Sequence, residues 1–395
     1  SGLGANTGTV VLDGGSIKLS AHSDLNLAAG SVLDASGGAR VAADGKLAYG
    51  DAGSIELSSG GFGQTSVADP MTTRINLGGE LRGYGMERGG SLSLATSSIY
   101  MGANPTGAAG ELVLDEAFFG RGGFSDYSLS GMDGVTVTDG FVLRPAPLSA
   151  QLASDFRLKA SGAAMRTITS SIARPADLRG PTRAALTAGN FYRGDVVVGE
   201  GASIRVDPQG EIALTANRQL TVLGTLDAAA GQISLRQTEL LDGDKDVANY
   251  DPSRSIFLGE NSRVLATGYY RAEPDAQNLR KGEVLDGGRV TIEAAKGYLV
   301  TQAGSLIDVS GTQATLDLVG GTGLAATPVA SDGGAIHLAA REGMLLEGNL
   351  AGHAGGEQAR GRVRQGAFLF LGVELGVEID HRRRGQHTAA RREIG

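Results

Sequence analysis

One short phrase, a Gly, one variable residue and then an apolar-x-apolar pair, recurs at least eight times along this chain of 395 residues. It reads Gly15-Ser16-Ile17-Lys18-Leu19, then Gly53 to Leu57, Gly90 to Leu94, Gly110 to Leu114, Gly210 to Leu214, Gly231 to Leu235, Gly288 to Ile292 and Gly334 to Leu338. The first apolar residues stand 38, 37, 20, 100, 21, 57 and 46 positions apart, mostly near multiples of about 20, the length of one solenoid repeat. Alternation within each phrase puts Ile17 and Leu19 on one face and Lys18 on the other, the pattern of a half-buried strand. A strand so short has neither a core nor paired edges by itself, so the copies must stack.

Each period holds two further apolar pieces. A second follows the first by eight residues, as in Leu25-Asn26-Leu27 and Leu220-Thr221-Val222, and a third is bounded by Gly, as in Gly30-Ser-Val-Leu-Asp34 and Gly304-Ser-Leu-Ile-Asp308. This predicts an all-β fold: a right-handed parallel β-helix with three strands per turn, the hand following from the bias of parallel crossovers. The 63 Gly residues suit corners that need left-handed or otherwise restricted backbone. Roughly 10 to 14 turns at about 4.8 Å each would give a rod of about 50–65 Å.

The strand phrase disappears between residues 145 and 193, where Ala, Leu, Arg and Ser dominate. A linker or insertion, partly helical, is expected there between β-helix segments at 1–144 and 194–356. Smaller insertions are expected at 68–75, 240–255, 268–282 and 313–331. The stretch 357–395, with eight Arg, five acidic residues and no Ser, is atypical. It reads as a basic interaction tail or, preferably, a disordered or frame-shifted end outside the fold. The chain starts at Ser1 with a repeat close behind, and reads as an internal piece of a longer protein.

Cysteine is absent, which removes disulfides and thiolate metal sites. A net charge of −8 with both signs interspersed, 5% aromatic residues and no Trp disfavour nucleic acid. No apolar run is long enough for a transmembrane helix.

Candidate chemistry is sparse. Asp34, Asp207, Asp227 and Asp308 recur at one corner of the repeat and read as turn formers. Asp242-Gly-Asp-Lys-Asp246, followed by Asp251, imitates the start of a calcium loop but continues with Val247 and Ser253, where that loop needs Gly and Glu. The five His, at 22, 337, 353, 381 and 387, are scattered, with His337 in an outward slot of a strand. No nucleophile elbow or phosphate loop is present. Catalytic, cofactor and metal residues are therefore assigned to none, and the chain is read as not an enzyme. Arg193-Gly194-Asp195 is a weak receptor-binding candidate, and Gly194 also has a plain role in turning the chain into Val196-Val197-Val198.

The segments GGSIKLSAHSDLNLAAGSVLDASGG, GDVVVGEGASIRVDPQGEIALTANRQLTVLGTLDAAAGQISL and GGRVTIEAAKGYLVTQAGSLIDVSG resemble the repeat region of filamentous haemagglutinin family exoproteins, over most of residues 1–356. The resemblance implies the shaft of a large adhesin, secreted or on the surface of a Gram-negative bacterium. It also implies export through an outer-membrane β-barrel transporter that recognises a region not in this chain, and attachment to a host receptor or glycan. Two alternatives stand beside it: a carbohydrate-active β-helix enzyme, and the stalk of a contact-dependent toxin exoprotein.

Overall fold

The computed structural model describes residues 13–41, 47–60, 72–86, 88–104, 106–160, 167–189, 194–238, 254–273, 275–320, 323–357, 359, 362–369 and 373–380. These are mostly β, and the dominant pairing is parallel. Parallel pairing joins the strands into three ladders, two of them largely within one 15-stranded sheet and the third in a six-stranded sheet with a separate two-stranded piece.

The first ladder contains Ser16–Ala21, Ser54–Ser59, the leading half of Gly90–Met101, the leading half of Phe124–Val137, Arg183–Ala188, Glu211–Ala216, Gln232–Gln237, Arg289–Ala294 and Ala335–Ala340. Nine strands make up this ladder among the described residues. At about 4.8 Å per strand the stack is about 40 Å tall. Seven of the eight phrases fall on this ladder; the eighth, in Glu111–Leu114, pairs instead with Ser98–Met101 of the second. Two strands of the ladder carry no phrase, Asp126–Gly131 and Arg183–Ala188, which is why the sequence spacing had a gap of 100.

Register places identical residue types above one another. Leu57, Leu94, Leu129, Leu186, Leu214, Leu235, Ile292 and Leu338 form one inward column, every member fully buried. Each such side chain contributes about 1.5–3 kcal/mol by leaving water. A neighbouring inward column is small or polar (Ser59, Thr96, Ala188, Ala216, Gln237, Ala294), and its polar members are satisfied. Ser59 and Thr96 share a hydrogen bond of 2.8 Å, and the Gln237 amide donates to the Asn217 and Thr238 carbonyls. Outward positions pair by charge, as in Lys18 with Glu56, Arg183 with Glu211 and Arg236 with Glu293.

The phrase glycines serve a different purpose from the one the sequence suggests. Gly110 has a positive φ, but Gly53, Gly231, Gly288 and Gly334 do not. Their constraint is close stacking: a Cβ at Gly288 would lie 2.0 Å from the Gly231 carbonyl oxygen, and one at Gly334 would lie 1.9 Å from that of Gly288.

The second ladder runs through Glu111–Leu114, the trailing halves of Gly90–Met101 and Phe124–Val137, Asp195–Val198, Gln219–Val222, Ser255–Leu258, Tyr298–Thr301 and Gly343–Leu346. Leu25–Leu27 with Ile75–Leu77 continues it as a separate pair. The third ladder is six-stranded from Val142–Leu143 to Asn349–Ala351, and Val32–Asp34 with Glu80–Arg82 forms a second piece.

Among the described residues, hairpin insertions share one corner, where the chain leaves the third ladder for the first, whereas the expected insertions at 68–75 and 240–255 join the first ladder to the second and lie mostly outside the described residues. Antiparallel hairpins stand at the shared corner at Ala39–Val41 with Leu47–Tyr49, Leu148–Leu152 with Thr169–Ala173, Tyr269–Ala272 with Gly282–Leu285, and Gln313–Gly320 with Gly323–Ala330. The Ala-rich middle is thus a hairpin with 3-10 turns at Phe156–Leu158 and Ala176–Leu178, and the parallel ladder resumes at Arg183, within the segment assigned to the linker. In the Arg-rich tail, Arg362–Leu369 and Val373–Asp380 pair as another antiparallel hairpin, lying against Ala335–Ala340. The calcium-like run from Asp242 to Asp251 lies outside the described residues.

Candidate functional site

The third ladder breaks between Glu80–Arg82 and Val142–Leu143, and the 3-10 helix Glu116–Gly120 sits in the break. Asp115 caps this helix, its side chain accepting from the Phe118 N–H at 2.8 Å. The cap aims Phe119 into the core, where it is fully buried. Tyr127 replaces the usual aliphatic residue of its inward column and meets Phe119 edge-on, with centroids 5.1 Å apart. Phe124, Phe118 and Phe141 complete the cluster. Tyr127 donates to the Phe119 carbonyl at 3.3 Å, and burial pushes its phenol well above the ordinary range.

Outside this plug lies a cleft of about 660 Å³ with walls that include Leu77, Glu80, Tyr84, Phe118, Arg121 and Phe124. Its size falls in the range of small-molecule sites. Gly122 and Gly123 make it possible. Both have positive φ, and a Cβ at Gly122 would lie 2.7 Å from the Phe124 ring, while one at Gly123 would lie 2.5 Å from the Tyr84 ring. Glu80 accepts two hydrogen bonds from Arg82, at 2.7 and 2.6 Å, and this partner holds its carboxyl below the usual carboxylate range. Glu80 is therefore an ionised acceptor at neutral pH and is poorly suited to giving up a proton as a general acid. Arg121 is held by Asp115 at 3.2 Å. The arrangement sets aromatic side chains beside a carboxylate whose oxygens are held by Arg82, which suits a small ligand with both apolar and hydroxyl-bearing parts.

Of the sequence-predicted residues, Arg193 lies outside the described residues, while Gly194 and Asp195 open a second-ladder strand. The Asp195 carboxylate accepts from Arg218 Nε at 2.7 Å and from the Gln219 N–H at 3.1 Å. It serves the ladder by joining two successive strands. The corner acids divide. Asp34 and Asp308 each accept from the N–H two residues on, at 3.0 and 2.8 Å, as turn formers do. Asp227 occupies the same ladder position, and its carboxyl is pushed up by burial against the pull of Arg205 and Arg144. Asp207 sits two residues beyond that position and forms a buried ion pair with Arg179, at 2% and 7% side-chain exposure. His337 is exposed and stands 3.9 Å from Glu293.

Hairpins at the insertion corner also clasp one another. Arg280 grips Asp317 through Nε and Nη2, at 3.2 and 2.6 Å, and the two backbones exchange further bonds to this pair. Tyr269 donates to Asp177 at 2.7 Å, a bond that pushes its phenol up to about 12. Leu158, Val319 and Leu324 lie exposed on this crest.

Among the described residues no group of three or more His, Asp or Glu could hold a metal ion, and no helix is long and apolar enough to cross a membrane. Comparison with protein-family models, with curated proteins and with solved structures finds no match to this chain.

The sequence reading missed the aromatic cleft. A signal was present: Phe118, Phe119, Phe124, Tyr127 and Phe141 fall within 24 residues of a chain that is 5% aromatic.

Proposed function

We propose that the stack is a right-handed parallel β-helix with three strands per turn, and that it serves as a shaft segment of a filamentous haemagglutinin family exoprotein. In this reading the protein is secreted or held at the surface of a Gram-negative bacterium, after export through an outer-membrane β-barrel transporter. It acts by display: the rigid stack carries hairpins and a cleft away from the surface, where they meet a host receptor or glycan. The observation that carries the reading is the combination of nine registered strands in one ladder with hairpins leaving at one repeated corner. Such a body is built for extension, and variation is confined to its side.

The display reading is favoured over hydrolysis because Glu80 is the one carboxylate among the described residues that line the cleft, and Arg82 occupies both of its oxygens. Inverting and retaining mechanisms both need a protonated acid opposite a second carboxylate. The test is attachment: labelled purified chain should bind epithelial cells and compete with adherence of bacteria that carry the full-length protein. Absence of both, or release of reducing ends from pectin or related glycans, would overturn the reading.

A further inference from the structure

Two backbone bonds, one at each end, close successive third-ladder strands such as Thr225–Asp227 with Arg263–Leu265. Arg263 N–H donates to the Gly224 carbonyl at 3.0 Å, and Ala228 N–H donates to the Leu265 carbonyl at 2.9 Å. Asn349 with Ser305 and Val309 with Ala351 repeat the arrangement at 2.8 and 2.9 Å. Above Glu80–Arg82, at the break, only the second kind of bond is made. Gly83 N–H donates to the Gly122 carbonyl at 2.7 Å, but no donor among the described residues reaches the Gly79 carbonyl, the counterpart of that of Gly224. Leu81 is left open as well. Glu80 N–H donates to the Ser31 carbonyl and the Arg82 carbonyl accepts from Ala35 N–H, both at 2.8 Å, so these two residues turn toward Val32–Asp34. The alternation of a parallel strand then turns Leu81 N–H toward the break, where none of the described residues accepts from it. The far side of the break is closed differently, because Glu116 Oε1 accepts from Val142 N–H at 2.8 Å. Gly79 and Leu81 both lie in the wall of the cleft, which therefore carries an open strand edge.

We infer that the cleft takes a short extended peptide segment of a partner protein, added to Glu80–Arg82 in the parallel sense. One residue of such a segment satisfies both open groups, its N–H donating to the Gly79 carbonyl and its own carbonyl accepting from Leu81 N–H. That residue pairs with Glu80 and points outward. Both Glu80 oxygens are already taken by Arg82, so Ser or Thr suits the position better than Lys or Arg. The next residue pairs with Leu81 and points inward, toward Leu92, Phe118 and Phe124 of the cleft wall, which suits Leu, Ile or Val. Thr225-Leu226, in the chain's own third ladder, has this pattern. An antiparallel segment would need the Leu81 carbonyl instead, and Gly122 stands against it: a Cβ there would lie 2.5 Å from that oxygen. The Gly83–Gly122 bond closes the far end, so only a few residues are engaged. The inference rests on the display reading and names the part of a receptor that the cleft meets.

The probe is a fluorescein-labelled peptide with the sequence of residues 222–230, which sets Thr225 and Leu226 at the two positions. In the free full-length chain the Leu81 amide should exchange much faster than that of Glu80, whose N–H is bonded. Saturating peptide should slow Leu81 exchange by at least about tenfold. Fluorescence anisotropy should show saturable binding, weakened at least about fivefold by N-methylation of the Thr225 nitrogen in the probe. Leu226→Asp in the probe should weaken it at least about tenfold. Both changes are made in the probe, so the fold of the chain is untouched. A Leu81 amide as protected as Glu80 in the free chain would overturn the open edge. No binding at peptide concentrations up to about 1 mM, or equal binding of the N-methylated probe, would overturn peptide recognition. Protection of Leu81 by galactose and not by the peptide would assign the cleft to a sugar instead. Attachment to cells with no peptide bound would strike this inference and leave the display reading standing. Peptide binding without attachment would keep the site and remove that reading.

Discussion

Placing a single methyl group at Gly288 tests whether close stacking of the corners, rather than turn conformation, dictates the recurring glycine. The added carbon would lie 2.0 Å from the Gly231 carbonyl oxygen and 2.9 Å from its carbon, all of it backbone. Relief requires the two corners to part by about 1 Å, and this breaks the bond that the Arg289 N–H donates to the Gly231 carbonyl at 2.9 Å. A lost hydrogen bond costs about 0.5–1.5 kcal/mol and overpacking about 1–3 kcal/mol, so Gly288→Ala should destabilise by about 2–4 kcal/mol. Gly15 is the matched control, since nothing lies within 4 Å of a Cβ there. Gly15→Ala should be neutral or stabilising by up to about 1 kcal/mol, because Ala restricts the unfolded chain. The assay is urea unfolding combined with hydrogen exchange at Arg289 and its ladder neighbours. Protection there should fall by about 30- to 800-fold in Gly288→Ala, the equivalent of the predicted energy. Equal stability of the two variants would refute the stacking argument.

Three further outcomes follow from the geometry. Leu235→Ala opens a void in the fully buried column between Leu214 and Ile292, and urea unfolding should show a loss of about 2–5 kcal/mol. Asp227, whose carboxyl is raised above its usual 3.8, favours folding in its neutral form, and that contribution fades as pH rises through the raised value. Asp227→Asn should therefore be at least as stable as the natural chain at pH 7, with the difference vanishing below 3.8, and a clear loss at pH 7 would contradict this. Asp317 is held below 3.8 by Arg280, so its contribution is present above 3.8 and is lost as pH falls through the lowered value. Protection at the Arg280 and Asp317 amides, taken relative to the intrinsic exchange rate at each pH, should fall in that acid range and hold above it.

Much of the ladder plan was legible because it rests on a period of two repeated along the chain. Seven phrases with Ile, Leu or Val at the inward slots could be read without neighbours. Arg183–Ala188 could not, because Ala184, Ala185 and Leu186 are good helix formers by themselves. Their strand conformation is imposed by the flanking strands on either side, Asp126–Gly131 and Glu211–Ala216. Asp126–Gly131 was hidden for another reason: Tyr127 stands where Ile or Leu is usual, serving the aromatic plug. The cleft was illegible because its walls come from distant stretches, with Tyr84 and Phe118 brought together by the missing third-ladder strand. Asp195 was noticed for its neighbours in sequence, but its chemistry is decided by Arg218, one circuit later.

The corner between third and first ladders also sets a rule for engineering. The chain crosses it in as few as four residues, 228–231, or in as many as 39, 144–182, with the same ladders on both sides. Length at this point is thus decoupled from the register of the core. A foreign peptide spliced between Ala229 and Ala230 would project beside the resident hairpins, and repeating the graft on successive circuits would space copies by one strand separation, about 4.8 Å, or a multiple of it. The molecule is in this sense a ruler with sockets along one margin, its graduations fixed by backbone hydrogen bonds.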